Sequence, residues 1–180
     1  MAEPRPGPVA RGLRAVARIL DPGVLLHGVR MLNYHGYAHV RPRRAMTCGK
    51  NVRIAPNASF RNGERITLGD AVQLGERVSL WAGKTSARIA VGDRTTLGPD
   101  VFVTAADYGL AADQRIVDQP MTERDVVIGA DCWIGTKVVI TAGVTLGDGC
   151  VIGAGSVVTR NVPGGAIAAG IPARVLRQRD

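Results

Sequence analysis

The amino-acid sequence predicts an all-β fold, a parallel β-helix of short strands with a short α-helical N-terminal segment and one protruding loop. Three observations predict it. Over most of the 180 residues an aliphatic side chain recurs every sixth position, glycine often follows it, and Val, Ile, Thr and Gly prevail over good helix formers. A repeat of six residues does not match the 3.6-residue period of an α-helix, so the repeat positions would not stay on one face of a helix. Each repeat is therefore expected to be a strand of a few residues that ends at a corner.

The six-residue repeat is unbroken in the last third of the chain and occurs in shorter phased runs before it. The repeat positions, all aliphatic except Phe60, are Ile54, Phe60, Leu68, Leu74, Leu80, Val91, Leu97, Val103, Ile128, Ile134, Ile140, Leu146, Ile152 and Val158. Three strands make a triangular coil of about eighteen residues, and coils stack as parallel strands about 4.8 Å apart. The aliphatic residues are then expected to point inward. Cys132 and Cys150, which are 18 residues apart, are expected to stack as reduced residues of the wall, with a disulfide as the lesser alternative.

The repeat is interrupted between Val103 and Ile128 by a polar and charged segment, residues 105–125. This segment is expected to protrude as a loop. Long excursions from a rigid scaffold usually carry function, and the alternative is a loop that only buttresses an assembly.

The excess positive charge lies at the N-terminal end. Residues 1–53 hold ten basic side chains against two acidic ones, while the rest of the chain is neutral. Val9, Leu13, Val16 and Leu20 recur at helical spacing, and a second apolar stretch covers residues 24–32. We therefore divide the chain into a basic helical segment, residues 1–50, and a β-helix domain, residues 51–180. The helices are expected to cap the open end of the β-helix. Contact of residues 9–32 with an anionic membrane surface is the alternative.

Composition excludes several classes of protein. No run of eighteen uncharged apolar residues occurs, so a transmembrane helix is not expected. Arginines interrupt the apolar region that a cleaved signal peptide requires, which predicts a cytoplasmic protein, with a membrane-peripheral location as the alternative. The three cysteines form no CxxC pair and all three histidines precede the repeats, so no metal site is expected. The basic segment holds no recognised nucleic-acid-binding motif.

Three stretches of sequence resemble the hexapeptide-repeat acyltransferases: residues 127–136 (VIGADCWIGT), residues 143–159 (GVTLGDGCVIGAGSVVT) and residues 169–174 (AGIPAR). The resemblance is greatest to the maltose and galactoside O-acetyltransferase branch, which includes sugar acetyltransferases of polysaccharide clusters, and it covers about residues 50–177. It implies a left-handed β-helix and a homotrimer. It also implies that acetyl-CoA binds in the groove between neighbouring subunits and that the acceptor is a sugar hydroxyl or amine.

The same resemblance implies a set of cosubstrate-binding residues. Trp133 corresponds to the family's tryptophan beside the acceptor and the pantetheine arm, and its place before a repeat start predicts that it points outward. Thr136 and Ala154 match positions that contact the arm, Ala154 through its backbone N–H. The positions near the CoA nucleotide are Thr159, Arg160, Arg174 and Arg177. Guanidinium groups suit phosphate. The alternatives are a tryptophan that packs between subunits and arginines of a solvated surface.

One residue departs from the family pattern. Tyr108 stands where the family has its histidine base. A tyrosine hydroxyl, with a reference pKa of about 10, is a poor proton acceptor at neutral pH. Three explanations stay open: Asp107 accepts the proton while Tyr108 orients the acceptor, the acceptor is an amine that needs less help, or the site has lost its chemistry and binds CoA or a sugar. A histidine of the N-terminal segment, supplied by a neighbouring subunit, is a further alternative.

Taken together, these observations predict a CoA-dependent O-acyltransferase. It would move an acetyl or other short acyl group from acyl-CoA to a hydroxyl of a sugar or glycan precursor by direct attack on the thioester. The alternatives are N-acetylation of an amino sugar and a non-catalytic CoA- or sugar-binding β-helix. Acetyl-CoA is the expected cosubstrate.

Overall fold

The computed structural model describes residue 7 and residues 21–180, and the chain divides into two compact units, residues 1–37 and residues 38–180. In the first unit, helix α1 spans Pro22–His35. Asp21 caps it, because its carboxylate accepts a hydrogen bond from the backbone N–H of Gly23 at 2.7 Å. Every residue of α1 is exposed. The helix that the sequence predicts over residues 9–20 lies outside the described residues.

Helix α1 has 14 residues. Within residues 21–180, no helix combines the length and the apolar character that crossing a lipid bilayer requires.

Residues 38–46 cover the first coil of the β-helix. A π-helical turn, Gly36–Val40, leads into the short helix α2, Arg41–Ala45. Ala38, His39 and Met46 are buried. The ring of His39 packs on Phe60 with centroids 5.6 Å apart, and its Nδ1 donates to the carbonyl oxygen of Ala58 at 2.8 Å. The lower end of the core is therefore closed by residues that immediately precede the first strand.

Three parallel sheets form the sides of the β-helix. Sheet A contains β1 (Thr47–Cys48), β4 (Ile66–Leu68), β7 (Ile89–Val91), β12 (Val126–Ile128) and β15 (Thr145–Leu146). Sheet B contains β2 (Arg53–Ile54), β5 (Gln73–Leu74), β8 (Thr96–Leu97), β13 (Trp133–Ile134), β16 (Val151–Ile152) and β18 (Ala166–Gly170). Sheet C contains β3 (Ser59–Arg61), β6 (Ser79–Trp81), β9 (Phe102–Thr104), β14 (Val139–Ile140) and β17 (Val157–Val158). The last strand, β19 (Ala173–Gln178), pairs antiparallel with β18.

These strands wind into five coils, residues 47–65, 66–88, 89–125, 126–144 and 145–162. The predicted fold class is confirmed, and so is the inward ladder of aliphatic residues. Each predicted position from Phe60 to Val158 is at most 3% exposed. Ile54 is the exception and is only partly buried, because it lies in the first coil and none of the described residues forms a further coil below it. Strand β1 begins four residues before residue 51, and the division of the chain at residue 50 stays a prediction.

Cys132 and Cys150 stack in adjacent coils, as their spacing predicts. Both are buried free cysteines, and the Sγ of Cys150 lies 3.6 Å from the Sγ of Cys132. They fill the core as small apolar groups.

The predicted loop leaves the third coil as an arm. Strands β10 (Ala106–Asp107) and β11 (Thr122–Glu123) pair antiparallel at its base, and a 3₁₀ turn, Ile116–Asp118, lies further out. Gln119 is buried inside the arm, where its side-chain amide hydrogen bonds to both backbone groups of Ala111 and to the carbonyl oxygen of Gln114. The arm is therefore an ordered hairpin.

Candidate functional site

Trp133 lies on the outer face of sheet B and is 62% exposed. Its neighbour Ile134 points into the core, so the alternation of a strand places the tryptophan outside, as its repeat position predicts. A groove of about 500 Å³ lies beside it, lined also by Val151, Ile167 and Arg179. An exposed indole beside a groove is suited to binding a ligand or a partner chain.

A row of outward residues runs from Trp133 to the C-terminal strand. Trp133 pairs with Val151, Val151 pairs with Ile167, and Ile167 lies opposite Arg177 in the antiparallel pair of β18 and β19. Trp133 and Arg177 are therefore three strand spacings apart, each of about 4.8 Å. Arg174 lies opposite Ala169 in the same pair.

Thr136 and Ala154 lie at the corner between sheets B and C. The backbone N–H of Gly155 donates to the carbonyl oxygen of Thr136 at 2.8 Å, so the two corners are stacked. The hydroxyl of Thr136 donates to the carbonyl oxygen of Pro99 at 2.7 Å. Ala154 is exposed. We call Trp133, Thr136, Ala154, Arg174 and Arg177 the BC edge, since they lie on sheet B or at its corner with sheet C.

The other predicted residues lie at the opposite end of sheet C. Thr159 and Arg160 follow β17, and Asp107 and Tyr108 lie at the base of the arm, which follows β9. Because β9, β14 and β17 pair in register, both pairs leave sheet C at the same corner, in the third and fifth coils. We call these four residues the CA edge, since this corner leads into sheet A.

One chain therefore keeps the predicted site residues in two groups, separated by the width of sheet C. Within residues 21–180, no acidic side chain forms an ion pair with Arg160 or Arg174, whereas Arg177 pairs with Asp180 at 3.3 Å. Two guanidinium groups are thus available to an anion, one on each edge.

The carboxylate of Asp107 is held by a neighbour on the arm. Its Oδ2 accepts a hydrogen bond from Nη2 of Arg124 at 3.2 Å. The Arg124 side chain passes over Gly143 in the fourth coil, where an added Cβ would lie 3.2 Å from Arg124 Cδ. Tyr108 follows Asp107 and is 52% exposed. The arm base therefore carries an acidic and a phenolic residue at adjacent positions of the chain.

Glu123 fixes the base of the arm to the second coil. Its carboxylate accepts hydrogen bonds from the backbone N–H groups of Ala87, Ser86 and Thr85, at 3.0, 2.7 and 3.0 Å, and from the Ser86 hydroxyl at 3.0 Å. The pKa of Glu123 is lowered well below its ordinary value because these groups, the N–H of Ala87 foremost, bind the charged form. The sequence analysis did not identify Glu123, which is one of several charged residues in the segment 105–125.

Within the part of the chain that the structure describes, no three His, Cys, Asp or Glu side chains are grouped so that they could hold a metal ion.

Comparison with known proteins adds to this geometry. The family model described as "Bacterial transferase hexapeptide (six repeats)" matches residues 125–160. The galactoside O-acetyltransferase of Escherichia coli K12 is 33% identical over 132 residues, which are 73% of this chain and 63% of that protein. The aligned part thus spans less than two thirds of that relative. WcaF of the same organism, named as a colanic acid biosynthesis acetyltransferase, is 32% identical over 73% of this chain and 68% of its own.

A solved structure of a relative contains the cosubstrate. The hexapeptide-repeat acetyltransferase VCA0836 from Vibrio cholerae, complexed with acetyl coenzyme A, superposes with a TM-score of 0.72. The sequence identity is 25%, and the match covers 90% of this chain and 92% of that one.

We predict that Glu123→Gln loosens the arm base. A neutral amide is a weaker acceptor for the three N–H groups, so hydrogen-exchange protection at Thr85–Ala87 and at β11 should fall about tenfold or more at pH 7. Because the folded pKa of Glu123 is lowered, this stabilisation is present above the ordinary glutamate pKa of 4.5 and is lost as the pH falls through the folded value. The difference between wild type and variant should therefore shrink below about pH 4.

Asp113→Asn is the matched control for this experiment, because Asp113 is an exposed carboxylate on the same arm. It should leave protection at Thr85–Ala87 unchanged. Equal protection in wild type and Glu123→Gln at pH 7 would show that the carboxylate does not hold the arm.

Proposed function

This chain belongs to the bacterial hexapeptide-repeat transferase family, and from that premise we propose that it transfers an acetyl group from acetyl-CoA to a hydroxyl of a sugar or glycan precursor. The observation that carries the proposal is the BC edge, where an exposed tryptophan and an unpaired guanidinium lie along one side of a fold shared with an acetyl-CoA complex. The named relatives act as sugar O-acetyltransferases or in polysaccharide biosynthesis, which supports the choice of acceptor.

Acetyl-CoA matches the chemistry of the BC edge. Arg174 and Arg177 on β19 would bind the phosphates of the nucleotide. Trp133 offers an apolar wall for the pantetheine arm, and the exposed corner at Ala154 offers a backbone N–H to an amide of that arm. The thioester would then lie towards Trp133, three strands away from the arginines.

The reaction would be a direct transfer. The acceptor hydroxyl oxygen attacks the thioester carbonyl carbon, a C–O bond forms, and the C–S bond breaks as CoA leaves as a thiolate, which becomes the thiol by taking up the proton that the hydroxyl gave to Asp107. Asp107 accepts the hydroxyl proton, with Arg124 holding its Oδ2 in place, and Tyr108 orients the acceptor by a hydrogen bond. Backbone N–H groups of the groove stabilise the oxyanion.

We propose a homotrimer in which neighbouring subunits complete each site. The BC edge and the CA edge leave different ends of sheet C, and neighbouring subunits that supply one edge each would bring both edges to one ligand. A ring of three identical subunits repeats that contact three times and closes, which gives three equal grooves. In each groove Asp107, Tyr108, Thr159 and Arg160 of one subunit would face Trp133 and Arg174 of the next.

We also propose that the enzyme is cytoplasmic and contacts an anionic membrane surface through residues 9–32. Helix α1 exposes a set of large apolar side chains: Val24, Leu25, Leu26, Val29, Met31 and Leu32. Its described residues carry basic but no acidic side chains after Asp21, and residues 1–53 hold the excess positive charge of the chain. Exposed apolar groups with basic neighbours bind the interface of anionic lipid.

The first test measures thiol release from acetyl-CoA with a panel of sugars. Release should require a hydroxyl acceptor, and Asp107→Asn should lower kcat by about 10² to 10⁴ because it removes the proton acceptor. Tyr108→Phe should mainly raise KM for the acceptor, and Asp113→Asn serves as the control. Full turnover in Asp107→Asn would show that a group other than Asp107 accepts the hydroxyl proton. A wild-type enzyme that acetylates amines but no hydroxyl would contradict the proposal.

The second test mixes two inactive variants. Asp107→Asn/Tyr108→Phe damages the CA edge, and Trp133→Ala/Arg174→Ala damages the BC edge. If neighbouring subunits share each groove, random assembly of equal amounts leaves about a quarter of the grooves intact, and activity should return to about that fraction. Light scattering should give a mass three times that of the 19.0 kDa chain. A mixture that stays inactive would place both edges of a site in one subunit.

The third test sediments the full chain with phospholipid vesicles. Binding is expected with phosphatidylserine-containing vesicles, weaker binding with neutral vesicles, and loss of binding as salt is raised. Leu25→Asp/Leu32→Asp should abolish it without changing thiol release on a free sugar. Equal recovery of this variant and wild type with anionic vesicles would contradict the membrane role.

A further inference from the structure

A guanidinium and an indole are stacked on the outer face of sheet C in the first two coils. Arg61 on β3 and Trp81 on β6 pair in register, and Cζ of Arg61 lies 3.9 Å from the centre of the Trp81 ring. The Trp81 ring in turn meets Phe102 edge-on, with centroids 4.9 Å apart and an interplanar angle of 79°. Phe102 lies on β9 in the third coil. The indole is therefore held from below and above, and it holds the guanidinium flat.

The charge of Arg61 is left without a counter-ion in the described part of the chain. Arg65, Arg77 and Arg124 each form an ion pair with a carboxylate. Arg61 is exposed, and its contact is with the face of the Trp81 ring. A guanidinium that stacks through its face keeps its N–H edge available, and that edge binds an oxyanion with two parallel hydrogen bonds.

This pair lies at the foot of the arm. Trp81 pairs with Thr104, and the carbonyl oxygen of Trp81 accepts a hydrogen bond from the backbone N–H of Ala105 at 3.0 Å. The next two residues, Ala106 and Asp107, are strand β10. Asp107 therefore lies only two positions after Ala105, the residue that is hydrogen-bonded to the Trp81 backbone.

The cluster and the proposed CoA contacts lie on opposite sides of the arm. Thr159 and Arg160 are in the fifth coil, above the arm, while Arg61 and Trp81 are in the first and second coils, below it. A donor that occupies the upper coils leaves the lower coils to the acceptor, with the arm base between them.

We propose that Arg61, supported by Trp81, is an acceptor subsite that selects sugars with an anionic group, a carboxylate or a phosphate, beside the hydroxyl to be acetylated. The inference rests on the proposed acetyl transfer, and it adds the charge class of the acceptor. A bidentate pair between the guanidinium and an oxyanion would select against a neutral analogue, which cannot form it.

Binding of small sugars to the full-length protein in the presence of CoA tests the subsite directly. The probes are methyl glucuronide, glucose 1-phosphate and methyl glucoside, measured by saturation-transfer NMR. Wild type should bind at least one of the two anionic sugars about tenfold or more tightly than methyl glucoside, and which one binds distinguishes carboxylate from phosphate. Arg61→Gln should remove that preference and leave methyl glucoside binding unchanged. Arg61→Lys should retain part of it, because it keeps the charge but not the planar fork.

Arg53→Gln is the matched control, since Arg53 is an exposed arginine of the first coil on sheet B. Equal affinity for charged and neutral sugars, or a preference that persists in Arg61→Gln, would overturn the subsite. Charge-selective binding that depends on Arg61 in a protein that releases no thiol would uphold the subsite and contradict the proposed acetyl transfer. Thiol release at equal rates with charged and neutral sugars would uphold the proposed acetyl transfer and contradict the subsite.

Discussion

The backbone hydrogen bonds between successive coils are the interaction on which the rest of the structure depends. They hold the coils about 4.8 Å apart. At this distance there is no room for a side chain between the backbones of neighbouring corners. A Cβ at Gly135 would lie 2.6 Å from the backbone nitrogen of Ala154, and a Cβ at Gly98 would lie 2.9 Å from that of Thr136. Glycine at these corners keeps the coils in register. Register in turn decides which side chains form outward rows, and the row from Trp133 to Arg177 exists because of it.

An insertion in such a solenoid has to leave and re-enter at a corner without disturbing the strands above and below. The arm does so by closing its base with the β10–β11 pair and by contacting both neighbouring coils. Glu123 reaches down to Thr85–Ala87, and Arg124 reaches up over Gly143. The two adjacent residues point to opposite sides, as expected where the chain leaves a strand. The same contacts set the position of Asp107, so the arm base joins the scaffold to the proposed chemistry.

Much of the fold could be predicted from the sequence, because a period of six is a one-dimensional signal. It predicted the inward ladder, the stacking of Cys132 on Cys150, the outward direction of Trp133 and the position of the arm along the chain. The contacts around the arm could not be predicted in the same way. Glu123 binds residues about 37 positions earlier, and no local pattern marks that pairing. Arg61 meets Trp81 because coils stack 20 residues apart at that level, which requires the register of both coils to be known.

The two ends of the β-helix differ, and the difference bears on how copies of the chain meet one another. A stack of parallel coils is in principle open-ended, since its terminal coils could accept another copy and grow into a filament. At the lower end His39 and Met46 occupy the position that a further coil would take. At the upper end the chain reverses after β18, and β19 covers the outermost strand of sheet B in antiparallel orientation. Residues 38–46 at the lower end and β19 along sheet B at the upper end therefore oppose lengthwise addition of another copy.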